Sequence, residues 1–237
     1  MKMNITGRHA LITGAGTGIG RAISVRLSEL GCHVTLVGRT KSSLDETASL
    51  CTARAECLTC DLTDEQDILQ LVEHIRSSGA LDILVNNAGV IQSGPMESIS
   101  TEEFDTVMAT NVRAPFLLMR ETLPLLSASE APEIVNICSV VAHEGYPNQS
   151  AYVASKHALC GLSKSFANEV FGDGIRVHLI SPGGVLTDMV AKVRPDIVGT
   201  PMIAPEDIAD AVEYLLTHRS DAVCDEIKLH RVTKAPF

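Results

Sequence analysis

The sequence predicts an α/β domain: a sheet of seven mostly parallel strands, doubly wound, with helices on both faces. Three observations carry this. Short β-branched runs alternate with longer amphipathic segments along the chain, the order of a parallel sheet built from right-handed crossovers. The strand candidates hold unbroken apolar cores, Leu11-Ile12, Ile83-Leu84-Val85 and Ile134-Val135, as strands covered on both faces do. No linker, charge block or internal repeat divides the 237 residues, so residues 1–237 read as one domain.

Taken in order, strands are expected at His9–Thr13, His33–Gly38, Ala55–Cys60, Asp82–Asn86, Glu133–Cys138, Arg176–Ser181 and Cys224–Leu229. Each matches a β-branched or apolar run of strand length, the last with the least support. Helices are expected at Gly18–Leu30, Lys41–Cys51, Asp64–Ser78, Thr101–Leu126, Ala151–Phe171 and Pro205–Thr217. Thr63 or Asp64 can cap the third, and Ser100 with Glu103 forms a capping-box pattern before the fourth. Gly31 and Gly79 follow helix ends, where a left-handed residue costs least.

Composition excludes several classes. Hydrophobic residues make up 45 % and charged residues 20 %, which is a folded globular composition rather than a disordered one. The formal net charge is −10 with no basic run, so the electrostatic footprint of a nucleic-acid binder is missing. Aromatics are 3 % with no Trp, leaving little for base stacking. The start Met1–Gly7 carries no apolar stretch of signal-peptide length and no segment approaches a membrane span, so neither is expected. The seven cysteines are scattered, mostly within apolar runs. Cys57 and Cys60 form a C-x-x-C, but no second pair or nearby His completes a metal site, and strand spacing turns the two thiols to opposite faces. Core filling in a reducing cytoplasm is the expectation, with no metal.

In a doubly wound sheet the ligand sits beyond the carboxyl ends of the strands. The first strand runs into Thr13-Gly14-Ala15-Gly16-Thr17-Gly18-Ile19-Gly20 and then directly into a helix. Helix N-terminal N–H groups favour a phosphate when no side chain intervenes. Gly14 can make the tight turn, Gly18 can let the backbone approach a pyrophosphate, and Gly20 can allow close helix packing. With no G-K-[ST], the loop is not a P-loop. Asp61 follows the third strand in Cys60-Asp61-Leu62, placed either to accept from an adenine amino group or to cap the next helix. Asn86-Asn87-Ala88-Gly89 ends the fourth strand and leaves room for a flat ligand or makes a plain turn. The second strand ends in Gly38, without an acidic side chain, and Arg39 follows. Arg39 can pair with a ribose 2′-phosphate, with Thr40 and Ser42 adding hydroxyls.

Tyr152 and Lys156 stand four apart at the start of a helix and so share a face. An ammonium beside a phenol favours the phenolate and would bring Tyr152 toward working range. Ser139 ends the fifth strand and can donate to a substrate oxygen. Taken singly, each of these residues has an ordinary structural reading.

The ordered set resembles the short-chain dehydrogenase/reductase family over nearly the whole chain. The resemblance rests on Thr13–Gly20, Asp61, Asn86–Gly89, Asn111, Ser139, Tyr152, Lys156 and Ser181–Thr187. It implies a Rossmann fold with strand order 3-2-1-4-5-6-7. It implies a catalytic tetrad of Asn111, Ser139, Tyr152 and Lys156: Tyr152 moves the proton, Ser139 orients the substrate oxygen, Lys156 lowers the Tyr152 pKa and holds the nicotinamide ribose, and Asn111 holds a water linking Lys156 to bulk. Cofactor contacts are implied at Gly14, Thr17, Gly18, Ile19, Gly20, Asp61, Leu62, Asn87, Ala88, Gly89, Tyr152, Lys156, Pro182, Gly183, Val185 and Thr187, beside Arg39. The implied activity is hydride transfer between NADP(H), with NAD(H) the alternative, and a small carbonyl or secondary-alcohol substrate. A homodimer or homotetramer is implied, packed through the helices near Thr101–Leu126 and Ala151–Phe171. The tail Val223–Lys234 departs from the usual T-G-x-x-x-x-V-D-G-G ending and resembles a subgroup ending in an E-I-x-I-R-P-T-type strand. Lys192 and Arg194, in the region of the family's substrate lid, read as solvated surface charge in preference to ligands for an anionic substrate. A non-catalytic dinucleotide-sensing or interaction protein on the same fold is the competing reading; an intact proton relay argues against it.

Overall fold

The computed structural model of the chain describes residues 3–193 and 199–234. Its strands are β1 His9–Thr13, β2 His33–Gly38, β3 Ala55–Thr59, β4 Ile83–Asn86, β5 Glu133–Ile137, β6 Arg176–Pro182 and β7 Glu226–Leu229. They form one sheet in the order β3-β2-β1-β4-β5-β6-β7. Every pairing is parallel, so the expected sheet is wholly rather than mostly parallel. The order reverses between β1 and β4, which opens the crevice beyond their carboxyl ends.

Side chains alternate between two cores across the sheet. Ala10 and Ile12 of β1 and Ile83 and Val85 of β4 face one side, while Leu11 and Leu84 face the other. On the first side pack helices α1 (Gly18–Glu29), α2 (Lys41–Leu50) and α8 (Pro205–Thr217). On the second pack α3 (Glu65–Ser78), α5 (Ala114–Leu126) and α6 (Ser150–Glu169). Each fully buried Leu or Ile contributes roughly 1.5–3 kcal/mol. Cys57 packs with the first core and Cys60 with the second, so the C-x-x-C thiols do point apart. Both are free.

The long helix expected over Thr101–Leu126 is interrupted. A helix α4 (Thr101–Met108), opened by the Ser100–Glu103 capping box, passes through a π turn at Ala109–Arg113 before α5 begins. The Ala114 N–H donates to the Ala109 carbonyl, one residue further back than in an α-helix. Two causes are visible. Pro115 has no N–H to return to the Asn111 carbonyl, and the Asn111 side chain is bound at both ends to Val90. The remaining short helix, α7 (Asp188–Val193), follows β6. Lys192 on it is exposed, as solvated surface charge would be; Arg194 lies outside the described residues. Among the described residues, no helix is long and apolar enough to cross a membrane.

Candidate active site

The turn from β1 into α1 is held open by its glycines. Gly14 has φ +65°, and a Cβ there would lie 2.9 Å from Asn87 Nδ2. Gly18 has φ +52°, and its Cβ would meet Thr187 Cγ2 at 3.0 Å. The Thr13 hydroxyl accepts the N–H groups of Asn87 and Ala88, each at 3.0 Å, and Asn87 Nδ2 donates to the Thr13 carbonyl at 2.8 Å. The loop is therefore clamped to the end of β4. The first intrahelical bond of α1 runs from the Arg21 N–H to the Thr17 carbonyl. The N–H groups of Gly18, Ile19 and Gly20 precede it and lack helical partners. Thr17 places no side-chain cap over them, and the first turn has no acidic residue. That is an anion cradle of backbone donors and helix dipole.

This cradle forms part of a cleft of about 370 Å³ that runs across the carboxyl ends of the strands. At one end lie Gly38, Arg39, Thr40, Ser43, Asp61 and Leu62. Arg39 is exposed and makes no ion pair among the described residues. The Thr40 hydroxyl is not spent on capping α2. Thr63 donates its N–H (2.9 Å) and hydroxyl (2.7 Å) to Asp61, which holds that carboxyl below the usual range, with Arg39 adding to the effect. Asp64, not Asp61, caps α3. Ser42, expected beside Arg39, is exposed and away from the cleft; Ser43 takes that place.

At the other end Ser139, Tyr152 and Lys156 converge with Pro182, Gly183, Val185 and Thr187. Ser139 is buried; its hydroxyl donates to the Pro182 carbonyl at 3.4 Å and accepts the Val141 N–H at 3.3 Å. Lys156 is 4 % exposed. Its Nζ donates to the Ile137 carbonyl at 3.0 Å and stands 5.8 Å from the centre of the Tyr152 ring. Burial lowers the Lys156 pKa. Tyr152 is half-buried, and desolvation pushes its phenol up to about 12, with Ser139 pulling the other way. The Lys156 ammonium lies against the ring and spends a donor on the Ile137 carbonyl, so in the free protein desolvation is the larger influence on the phenol. Val185 bridges Ile203 in parallel. That bridge uses the Gly184 carbonyl and the Leu186 N–H, so the N–H and C=O of Val185 itself point away from Ile203.

Besides Ser42, two expected site residues do not line the cleft. Gly20 sits behind the loop, where a Cβ would fall 2.1 Å from the Gly14 carbonyl oxygen; its role here is packing. Asn111 is fully buried at the π turn. Its Oδ1 accepts the Val90 N–H at 2.8 Å, and its Nδ2 donates to the Val90 carbonyl at 2.9 Å and to Ser155 Oγ at 3.0 Å. With its amide so engaged, Asn111 has no free side-chain N–H to offer a water. The cleft also includes Gly16 and Thr110, to which the sequence reading gave no role. A Cβ on Gly16 would touch Ser43 Cβ at 3.0 Å; the irregular glycine spacing was the available signal.

Comparison with known proteins agrees with this geometry. The sequence model of the short chain dehydrogenases matches residues 8–198. A 3-oxoacyl-(acyl-carrier-protein) reductase FabG of Rickettsia bellii is 35 % identical over 229 residues, covering 93 % of this chain and 94 % of that one. Among solved structures, a metagenomic short-chain oxidoreductase in complex with NADP superposes with a TM-score of 0.84 at 32 % identity, covering 97 % of this chain and 100 % of that one. A Beutenbergia cavernae chain solved with NADP at low occupancy gives 0.86 at 33 % identity, with 96 % of each chain covered.

Proposed function

This chain belongs to the short-chain dehydrogenase/reductase family and is an NAD(P)-dependent oxidoreductase, and from that premise we propose that it interconverts a small ketone and its secondary alcohol, using NADP(H) in preference to NAD(H) and Tyr152 as the proton carrier. One observation carries the reading: a single cleft joins an open anion cradle to a Ser139–Tyr152–Lys156 cluster. The close packing that Gly14 and Gly18 permit, together with their lack of side chains, leaves bare backbone lining the cleft, which fits a dinucleotide. So does the set of free N–H donors at α1.

When bound, the nicotinamide ring supplies or takes up the hydride at its C4 carbon. The chain's own residues do the rest. The N–H groups of Gly18 and Ile19 hold the pyrophosphate, Asp61 accepts from the adenine amino group, and Arg39 pairs with the 2′-phosphate. The Val185 N–H and C=O hold the carboxamide. The Lys156 ammonium has three donors; Ile137 takes one, and the others serve the nicotinamide ribose. Ser139 donates to the substrate oxygen, and Tyr152 protonates it in reduction or accepts its proton in oxidation. Positioned proton transfer of this kind is typically worth about 10²–10⁴-fold. The NADP-bound relatives and the ketone-reducing name of the Rickettsia relative support this assignment.

The same reading includes a homo-oligomer packed through α4–α5 and α6. Phe104 and Phe116, each 42 % exposed on the α4–α5 pair, suit such a face. A monomeric mass by light scattering would refute it. The function itself is tested by following NADPH oxidation across a panel of ketones. Turnover is expected; tight NADPH binding without turnover on any of them would favour the sensor reading instead.

A further inference from the structure

Helix α6 carries both Tyr152 and Lys156, yet its start has no local cap. Gln149 stands at the N-cap position and makes no side-chain capping bond. Asn148 before it has φ +61°, a left-handed backbone found at no other non-glycine residue among those described. Such a turn persists only where surrounding contacts hold it. The contacts come from the loop after β4, 56 and 59 residues earlier. Gln92 is 6 % exposed. Its Oε1 accepts the Ala151 N–H at 3.2 Å, and its Nε2 faces the carbonyls of Gly94 at 3.2 Å and Asn148 at 3.4 Å. The Gly94 N–H donates to the same Asn148 carbonyl at 2.8 Å. The amide orientation is forced, because the flipped form would set its NH₂ against an N–H and its oxygen against two carbonyls.

We infer that Gln92 is a positioning residue for the reaction: it caps α6 from a distance and fixes the turn that aims the Tyr152 hydroxyl. The Ala151 N–H it holds belongs to the residue immediately before Tyr152. The segment it belongs to also carries Val90, which is bound by Asn111, and Asn111 in turn reaches Ser155 on α6. One rigid strip therefore references the proton donor to the floor of the cleft. An error near 1 Å in such a placement can cost on the order of 10²-fold in rate. A partial loss of aim reads as a loss of kcat, with cofactor affinity untouched.

The inference rests on the proposed function, so its test has one arm that needs no turnover. In Gln92→Leu, kcat for ketone reduction should fall about 10- to 100-fold while the Kd for NADPH, followed by its fluorescence, changes less than about twofold. Amide exchange at Ala151 and Tyr152 should accelerate about tenfold. In Gln92→Glu the acceptor for Ala151 survives, but the ionised carboxylate opposes two carbonyls. Its kcat should be depressed at neutral pH and recover toward wild type as acid restores the donor, a profile the wild type lacks. Should the Leu variant fail to fold, the Glu profile and its amide exchange decide. Unchanged kcat and exchange in Gln92→Leu, or a Gln92→Glu profile parallel to wild type, overturns the inference. An inactive wild type overturns the proposed function alone, and the exchange comparison still settles the role of Gln92.

Discussion

Gly20→Ala probes whether the cradle is a fixed object or a pliable loop. An added Cβ would lie 2.1 Å from the Gly14 carbonyl oxygen, 2.5 Å from Asn87 Nδ2 and 2.7 Å from the Gly14 carbonyl carbon. To reach even a tight 3.0 Å contact the loop must retreat by roughly 1 Å, a displacement of the kind that makes overpacking costly. It has little freedom to do so, because Gly14 is already left-handed and Asn87 binds the Thr13 carbonyl. Overpacking a rigid site costs about 1–3 kcal/mol, which for a chain of this size lowers Tm by roughly 2–12 °C. Since the displaced backbone carries the anion donors, the Kd for NADPH should rise at least about tenfold. Gly172→Ala is the matched control: nothing lies within 4 Å of its Cβ and its φ is ordinary, so it should melt and bind like wild type. The assay is a thermal melt paired with a fluorescence titration of NADPH. A Gly20→Ala protein with both values unchanged would refute the reasoning.

Cofactor choice should follow the end of β2. Wild type is expected to favour NADPH in kcat/KM, and Gly38→Asp/Arg39→Leu should reverse the order; a charge-assisted contact of about 1.5–3 kcal/mol amounts to roughly 10- to 150-fold. Equal or better use of NADH by wild type would reject the role of Arg39. Because desolvation pushes Tyr152 up to about 12, the phenol is protonated at neutral pH in the free protein. Its phenolate absorbance, taken as wild type minus Tyr152→Phe, should begin only near pH 11, about one unit below that pKa. The sign for the reaction follows: reduction, which needs the protonated phenol, holds across neutral pH, whereas alcohol oxidation, which needs the phenolate, rises as pH increases. Phenolate in the free protein below about pH 8 would contradict this.

The parts of the fold fixed by local pattern were legible in the sequence. β1 and β2 match their expected bounds, and Ser100–Glu103 forms the capping box that its spacing announces. The cleft residues after each strand were legible for a different reason: in a doubly wound sheet, position after a strand already implies position at the crevice. What escaped depends on contacts between distant segments. Beside Pro115, the π turn has the Asn111 amide bound at both ends to Val90, and no window around Asn111 contains Val90. Gln92 looks like a loop amide until the start of α6 is seen beside it. The Tyr152–Lys156 spacing was read correctly as one helix face. The desolvation that raises the phenol in the free protein belongs to the assembled cleft, and no residue spacing carries it.

The proton-transfer role of Tyr152 is the centre of the account, and single-turnover reduction by stoichiometric NADPH tests it most directly. Tyr152→Phe removes one hydroxyl and keeps the ring that Lys156 lies against. The Kd for NADPH should stay within about twofold, and the rate of NADPH oxidation on an accepted ketone should fall by at least about 10²-fold. Near-normal oxidation of NADPH by the Phe protein would contradict the mechanism.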